Sequence, residues 1–270
     1  MPLMLPSPFM IFRVQAPVIY LVVVLSGLIA EESGAGIMLS VIMAIFFSLG
    51  IWALDDYVDR DLDIVLHPSR VIPSGALSPR AVLGISALSL SISLFSSILK
   101  LIFFGDAILV FIVLIELMLG ILAVRLTRED LLDNESRILL KAFLTGAMIG
   151  LIFPAGGGLS DKVIVLGLMV GTAHVANTLV IPNGKSVKEP PIEIKLVASS
   201  LYLASMISGW AAYLAGIFHK LIIIPLTLTS ISEFILMMGV GGRACQLRVK
   251  SAAGAGKISI LVILLVEALL

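Results

Sequence analysis

Apolar runs long enough to cross a bilayer alternate with short polar segments along almost the whole chain. A helix rises about 1.5 Å per residue and the hydrocarbon core is about 30 Å thick, so runs of roughly 20 apolar residues predict membrane-spanning helices. Nine such runs can be placed, and the first and last are short enough to depend on tilt or on flanking residues. They cover residues 16–30, 35–54, 81–99, 104–124, 139–158, 163–182, 195–217, 220–240 and 256–270.

The lysine and arginine residues divide the connecting loops into two classes. Fifteen of the 18 precede the first predicted span or follow the even-numbered spans, and only Lys100, Lys162 and Lys220 fall on the other side. Cytoplasmic loops carry the excess of Lys and Arg in membrane proteins. The pattern therefore predicts a multi-pass protein of the cell membrane with its N-terminus and its four long, charged loops in the cytoplasm.

Composition agrees with this picture and excludes several other classes. The chain is 59% hydrophobic and 13% charged, with a mean hydropathy of +1.14, whereas soluble domains are about 25% charged. The formal net charge of zero gives no reason to expect a nucleic-acid partner. The single cysteine, Cys245, excludes a disulfide framework and a cysteine metal cluster. We expect one all-α, membrane-embedded domain over residues 1–270.

Five aspartates fall within the nine residues 55–63, directly after the second span. On a helix, Asp55, Asp59 and Asp63 would form one carboxylate stripe with Asp56 beside it, because they recur every fourth residue. Such a stripe repels itself unless cations neutralise it. Mg²⁺ binds one or two carboxylates and completes its shell with substrate phosphates. These four aspartates are therefore the predicted metal ligands and catalytic residues, and a solvated loop is the weaker alternative.

The same stretch carries a resemblance to a known family. The sequence DDYVDRDLD, followed by PSRVIPSG at 68–75, resembles the first motif of the UbiA-type intramembrane prenyltransferases. That family has N/D-D-x-x-D-x-x-x-D and then P-x-R-P-I-P-S-G in the loop after the second of nine membrane helices. Asp55 replaces the more frequent Asn, and Val71 replaces Pro. Arg70 matches the arginine of the tail and is a candidate to bind phosphate.

The resemblance implies a fold and a reaction. About nine helices would surround a cavity open to lipid, whose mouth binds a prenyl diphosphate through Mg²⁺ held by two aspartate motifs. The enzyme would move the prenyl group, with geranylgeranyl favoured, to a membrane-soluble acceptor. That acceptor could be an aromatic acid, a quinone precursor or a glycerol-phosphate lipid. With the last of these, the enzyme would act in lipid biosynthesis. Apolar walls would keep water from the allylic cation.

The chain departs from the family at the second motif, which reads approximately Y/R-E-x-x-K-D-x-x-D-x-x-G-D after span six. Alignment on Gly184 places Thr178, Ile181 and Lys185 where three aspartates are expected. In one interpretation Lys185, with Lys188, replaces the second metal by pairing with phosphate. In the other, the chain is a divergent, non-catalytic paralogue that binds an isoprenoid or another lipid.

Other polar residues in or beside the spans are weaker candidates for the substrate site. Arg125 and Arg128 follow span four, where the family places basic residues near the diphosphate, although the charge bias alone accounts for them equally well. A carboxyl at bilayer depth normally faces a cavity or a partner, which makes Glu116 a candidate, whereas for Glu233 we expect a hydrogen bond to a neighbouring helix. His174 and Asn177 fall on second-motif positions and are predicted cavity residues. We expect Asp106 to be solvated near the outer surface.

A transport function ranks last. Transporters place helix breaks at the bilayer midplane in corresponding halves of the chain. Residues 156–158, Gly-Gly-Gly, would break the fifth span near its outer end and have no counterpart.

Overall fold

The computed structural model describes residues 16–30, 32–126, 134–180, 192–238, 256 and 258–269, and the structural statements below concern these residues. The regular structure within them is helical, which confirms the predicted all-α class. The helices are α1 (Ala16–Ile29), α2 (Gly34–Val58), α3 (Arg60–Leu66), α4 (Pro79–Phe104), α5 (Ala107–Leu126), α6 (Asn134–Gly157), α7 (Asp161–Val180), α8 (Ile192–Leu214), α9 (Ile223–Met238) and α10 (Ile258–Leu269), with a 3₁₀ turn at Lys220–Ile222 before α9.

Six of the described helices are long and apolar enough to cross a membrane, namely α2, α4, α5, α6, α7 and α8. The shorter helices α1, α9 and α10 occupy the places of the first, eighth and ninth predicted spans. The chain is therefore a multi-pass membrane protein, and the count of nine spans stays a prediction. The lipid-open central cavity also stays a prediction.

Local capping explains where the longest helix begins and ends. Ser78 precedes α4 and its side-chain oxygen accepts a hydrogen bond from the Ala81 amide at 3.2 Å, with Pro79 in the first helical position. The helix ends at Gly105, whose φ of 71° lies in the left-handed region that glycine adopts without steric cost. The predicted third span stopped five residues short of this end, at residue 99.

Lys100 accounts for that error. A lysine in an apolar run suggested an outer turn, but the residue lies inside α4 with a fully buried side chain. Its ammonium lies 3.1 Å from Asp106, 3.5 Å from Glu32 and 3.1 Å from the Ser40 hydroxyl. The expectation that Asp106 is solvated was also wrong. This carboxylate is mostly buried against Lys100 and accepts hydrogen bonds from the first amides of α5.

Two helix pairs form the frame of the bundle, α2 with α4 and α6 with α7. Consecutive long helices run in opposite directions, so the C-terminal ends of α2, α5, α7 and α9 share one side, which we call the motif side. Gly150 of α6 and Gly167 of α7 face each other closely. A Cβ added to Gly150 would lie 2.9 Å from the Gly167 carbonyl oxygen, and a Cβ added to Gly167 would lie 2.6 Å from the Gly150 carbonyl oxygen. Small residues permit this backbone contact between membrane helices. A second glycine pair, Gly146 and Gly171, makes the same contact one helical turn away.

The predicted orientation can be tested with single cysteines in a Cys245→Ser background. Ser69 is exposed in the loop between α3 and α4, and Leu159 is 57% exposed in the turn between α6 and α7. We expect Ser69→Cys to react with a membrane-impermeant thiol reagent only from the cytoplasmic side and Leu159→Cys only from the outside. Labelling of intact cells and of inverted vesicles measures this. Reaction of both variants from one side would mean that a span between them has been miscounted.

Candidate functional site

The predicted aspartate stripe lies where α2 ends and α3 begins on the motif side. Asp59 separates the two helices with φ −84° and ψ 2°, so the stripe does not lie on one uninterrupted helix. The backbone nevertheless keeps the helical hydrogen bonds across this break, from the Asp59 amide to the Asp55 carbonyl at 2.9 Å and from Asp63 to Asp59 at 2.8 Å. The helical hydrogen bonding between Asp55, Asp59 and Asp63, which are four residues apart, is therefore preserved.

Arg70 holds two of these carboxylates. Its guanidinium donates a hydrogen bond to Asp63 at 2.7 Å and lies 3.3 Å from Asp56. Asp63 is 2% exposed and Asp56 is 6% exposed. Buried carboxylates are costly unless they are paired, so Arg70 stabilises the local fold in addition to any contact with substrate.

The segment after Arg70 fixes its position. Val71 is 1% exposed and packs with Ala53 of α2 and Val82 of α4. The chain then turns at Gly75, whose φ of 76° requires a residue that tolerates the left-handed region and whose amide donates to the Ile72 carbonyl. Because the turn is anchored on both sides by buried apolar residues, the guanidinium is delivered to the aspartates by a rigid segment.

Asp59 lies in an environment that disfavours its ionised form. Burial, together with the negative charge of Asp55, raises the pKa of Asp59 above its usual value. The positive charges of Lys141 on α6 and of Arg70 oppose this shift without cancelling it. A cation placed beside Asp59 would lower this pKa again. Sequence reasoning missed Lys141 as a site residue. It lies near the start of the predicted fifth span, and its place among the positive charges on the cytoplasmic side is the signal that could have found it.

The donor chemistry of this cluster fits a magnesium ion, but its geometry does not form a complete cage. No group of three or more His, Cys, Asp or Glu side chains within the described ranges converges on one point. Mg²⁺ characteristically binds one or two carboxylates and takes its remaining ligands from water and phosphate. Asp55 and Asp59 fit that requirement, since their mutual repulsion favours a bound cation. Asp56 and Asp63 already contact Arg70, so they could bind the ion only while also contacting this guanidinium.

Arg60 and Asp61 point away from the stripe. Arg60 donates to the Tyr57 carbonyl at 3.1 Å and its guanidinium lies 4.7 Å from the centre of the Tyr57 ring. Its contact with Asp61 is 3.6 Å, and the Asp61 side chain is 69% exposed. Asp61 is therefore a suitable control for its buried neighbours.

Two further predicted site residues, Arg125 and Glu116, lie on α5. Arg125 is exposed at the end of α5, and Glu116 is buried with 2% exposure in the same helix. Arg128, Lys185 and Lys188 lie outside the described residues, so nothing is said of their contacts.

His174 and Asn177 instead line a small second site, which we call the Glu233 cavity. Its volume is about 60 Å³ and it lies between α7, α9 and the residues around α10. Asn177 accepts a hydrogen bond from the Tyr202 hydroxyl at 2.8 Å, and Glu233 accepts one from Ser205 at 2.8 Å. Both donors belong to α8. The cavity is lined by Val170, Ala173, His174, Asn177, Thr229, Ser232, Glu233, Leu236, Gly256 and Ile260.

Glu233 makes a hydrogen bond to a neighbouring helix, as we expected, and its partner is Ser205 of α8. The sequence analysis named neither Ser205 nor Tyr202. The hydroxyls of Thr227 and Thr229, which lie near Glu233 in sequence, donate to carbonyls of their own helix. Spacing within one helix could not reveal Ser205, because the contact depends on how α8 packs against α9.

Comparison with known proteins finds a curated relative that is similar in sequence. A digeranylgeranylglyceryl phosphate synthase of Natronomonas pharaonis is 27% identical, over 64% of this chain and 65% of the relative. The chain thus spans slightly less than two thirds of that curated relative. No family model matches the chain.

Two solved structures share the fold over nearly their whole length. A structure described as giving mechanistic insight into digeranylgeranylglyceryl phosphate synthase in membranes has a TM-score of 0.75 at 17% identity, covering 96% of both chains. The apo structure of a UbiA homolog from Aeropyrum pernix K1 has a TM-score of 0.69 at 14% identity, covering 95% of this chain and 98% of that one. At these identities the likeness shows the fold alone.

The structural role of Arg70 can be measured by folding stability. Arg70→Gln would leave Asp63 and Asp56 buried without their counter-charge, so we expect a loss of about 1–3 kcal/mol in the free energy of unfolding in detergent. Asp63→Asn in the same background should recover part of that loss. Arg60→Gln is the control, since its exposed pair with Asp61 is worth about 0–1 kcal/mol. Equal losses for Arg70→Gln and Arg60→Gln would refute the anchoring role.

Proposed function

We propose that this chain, whose resemblance to the UbiA-type intramembrane prenyltransferases is confirmed in sequence and in fold, is itself a membrane prenyltransferase. It would move a geranylgeranyl group from its diphosphate to a lipid acceptor. The reaction would occur on the cytoplasmic side of the cell membrane.

The observation that carries the proposal is the partly buried carboxylate of Asp59 in a cluster of four aspartates. Arg70 is shared between Asp56 and Asp63 and cannot balance both charges, while burial and the charge of Asp55 raise the pKa of Asp59. A site with this excess of negative charge binds the anionic diphosphate only when a cation lies between them. A metal-dependent phosphate site at a membrane helix end is what a prenyl diphosphate requires.

Asp55 and Asp59, with Asp56 and Asp63 beside them, would hold the magnesium ion. When bound, the ion stabilises the charge that develops on the departing diphosphate oxygens. Arg70 is 29% exposed, so part of its guanidinium is accessible to a phosphate oxygen while the rest holds the aspartates. The apolar helices would take the isoprenoid chain and exclude water from the allylic carbon.

The identity of donor and acceptor rests on similarity. The relative and one of the solved structures are described as digeranylgeranylglyceryl phosphate synthases, which favours a geranylgeranyl donor and a glycerol-phosphate lipid acceptor over an aromatic one.

One observation favours the non-catalytic, lipid-binding alternative. Thr178 stands at a position where the family has an aspartate, and its hydroxyl donates to the His174 carbonyl of its own helix at 2.9 Å. At this position the chain therefore offers no carboxylate to a second metal ion. A non-catalytic protein would bind the isoprenoid without releasing diphosphate.

Diphosphate release separates the two functions. The purified protein should release diphosphate from geranylgeranyl diphosphate when Mg²⁺ and a glyceryl phosphate lipid are both present, and not when either is omitted. An aromatic acid in place of the lipid tests the acceptor class. Binding of geranylgeranyl diphosphate without release under all these conditions would favour the lipid-binding alternative.

The aspartate cluster makes a specific prediction about magnesium. Asp59→Asn should abolish Mg²⁺-dependent binding of geranylgeranyl diphosphate, because it removes a carboxylate that would hold the ion. In EDTA the same variant should have a higher thermal midpoint than the wild type, since one buried like charge is gone. Equilibrium binding and thermal unfolding measure the two effects. Asp61→Asn alters an exposed side chain and is the matched control, so it should change neither the binding nor the thermal midpoint. Identical behaviour of the two variants would contradict the proposed role of Asp59.

The second loop can be tested although Lys185 lies outside the described residues. If its ammonium pairs directly with phosphate, the bond is worth about 1.5–3 kcal/mol. Lys185→Ala should then weaken diphosphate binding roughly ten- to a hundredfold at fixed Mg²⁺, at about 1.4 kcal/mol per decade. The triple change Thr178→Asp, Ile181→Asp and Lys185→Asp should steepen the dependence on Mg²⁺. Unchanged binding in Lys185→Ala would show that this loop takes no part in phosphate recognition.

A further inference from the structure

Lys100 differs from the other two lysines on the side of the molecule opposite the motif. Lys162 is the second residue of α7 with a side chain that is 39% exposed, and Lys220 is exposed in the 3₁₀ turn. Lys100 lies four residues before the end of α4, and its side chain is 0% exposed. A lysine near the end of a membrane helix usually extends its ammonium to the aqueous interface. Lys100 keeps its ammonium inside the protein.

Asp106 pairs with Lys100 inside a single helical hairpin, formed by α4 and α5. The Asp106 Oδ2 atom lies 3.1 Å from the Lys100 ammonium, and Oδ1 accepts hydrogen bonds from the amides of Ile108 and Leu109 at 3.1 and 3.4 Å. One oxygen therefore caps the start of α5 while the other neutralises the lysine. Gly105, with a φ of 71°, forms the turn between the two helices. The groups that position this pair all belong to residues 100–109.

The other two contacts of Lys100 come from an earlier part of the chain. Glu32 lies 3.5 Å away in the turn between α1 and α2, and the Ser40 hydroxyl of α2 lies 3.1 Å away. These residues precede Lys100 by 68 and 60 positions, so they reach it only when α2 packs against α4. Closing a long loop costs more conformational entropy than closing one turn. Asp106 is therefore the partner that Lys100 can bind before the bundle assembles.

A lysine without a partner would hinder the insertion of this hairpin. A positive charge within a membrane helix is unfavourable in lipid, and short loops with Lys or Arg at their ends are retained in the cytoplasm. The charge bias of the chain predicts that the turn between α4 and α5 lies outside. A charge-assisted bond to a carboxylate opposes both effects, because the ion pair carries no net charge.

We propose that the Lys100–Asp106 pair is a topology device, which neutralises the α4–α5 hairpin and allows its turn to cross to the outer side of the membrane. Glu32 and Ser40 then hold the inserted hairpin against α2 in the assembled bundle. The inference rests on the predicted orientation and is independent of prenyl transfer, since no substrate takes part.

Cysteine labelling of the full-length protein tests the proposal. Phe104→Cys in a Cys245→Ser background gives a parent protein with one thiol at the end of α4, where Phe104 is 43% exposed. Intact cells and inverted vesicles are treated with a membrane-impermeant thiol reagent, and each signal is divided by the labelling of denatured protein. We expect the parent protein to react only from the outside. Reaction only from the cytoplasmic side would show that the orientation is reversed and would refute the device.

Two neutralising variants of this parent separate the hairpin from the assembled bundle. Asp106→Asn removes the charge and keeps a side-chain oxygen that can cap α5. The fraction labelled from outside should fall by roughly half or more, because Lys100 then enters the membrane as an unpaired charge. Glu32→Gln is the matched control, since it also removes one carboxylate from Lys100 but lies outside the hairpin, and it should leave this fraction unchanged. Equal losses in both variants, or no loss in Asp106→Asn, would overturn the proposal.

Removal of the lysine shows whether Asp106 acts through Lys100. Lys100→Met in the Asp106→Asn protein removes the charge that needs a partner and keeps an unbranched side chain, so outside labelling should return to the level of the parent. If Asp106→Asn accumulates too weakly to be labelled, the amount of protein in the membrane is compared instead, and it should recover in the double variant. A double variant as impaired as Asp106→Asn would mean that the aspartate acts through the cap of α5, and the topology device would be wrong.

Discussion

The local structure of the motif side depends on the pairing of one guanidinium, that of Arg70, with two buried carboxylates. Asp56 and Asp63 are almost completely inaccessible to water, so each would be a large electrostatic penalty without Arg70. Arg70 is one positive charge shared between two carboxylates, so the motif keeps a negative charge even where it is paired. Burial and the charge of Asp55 raise the pKa of Asp59 in the same cluster.

Polar groups elsewhere in the bundle follow the same constraint, since the interior offers no water to solvate them. Lys100 is surrounded by two carboxylates and a hydroxyl, and it joins α4 to α2 and α5 at the side opposite the motif. Glu233 has one oxygen that accepts a hydrogen bond from α8 and one with no hydrogen-bond partner among the described residues.

The helical class, the membrane location and the resemblance of the first motif could be predicted because each depends on local pattern. Lengths of apolar runs and the four-residue spacing of Asp55, Asp59 and Asp63 are properties of short windows. The failures involve contacts between distant helices. Lys100 suggested a helix end because an isolated lysine is costly in lipid, and only the approach of Asp106 and Glu32 removes that cost. For the same reason, the sequence could not reveal that Arg70 binds Asp56, that Lys141 acts on Asp59, or that Ser205 meets Glu233.

The glycine contact between α6 and α7 has a mechanical consequence. Backbone atoms touch at Gly150 and Gly167 with no side chain between them, so these helices have little freedom to slide or separate and behave as one stiff hairpin. One arm of that hairpin carries Lys141, whose charge acts on Asp59, and the other carries His174 and Asn177, which line the Glu233 cavity. One helical hairpin therefore contributes to both regions, and its stiffness fixes the distance between the residue that acts on Asp59 and the residues that line the Glu233 cavity.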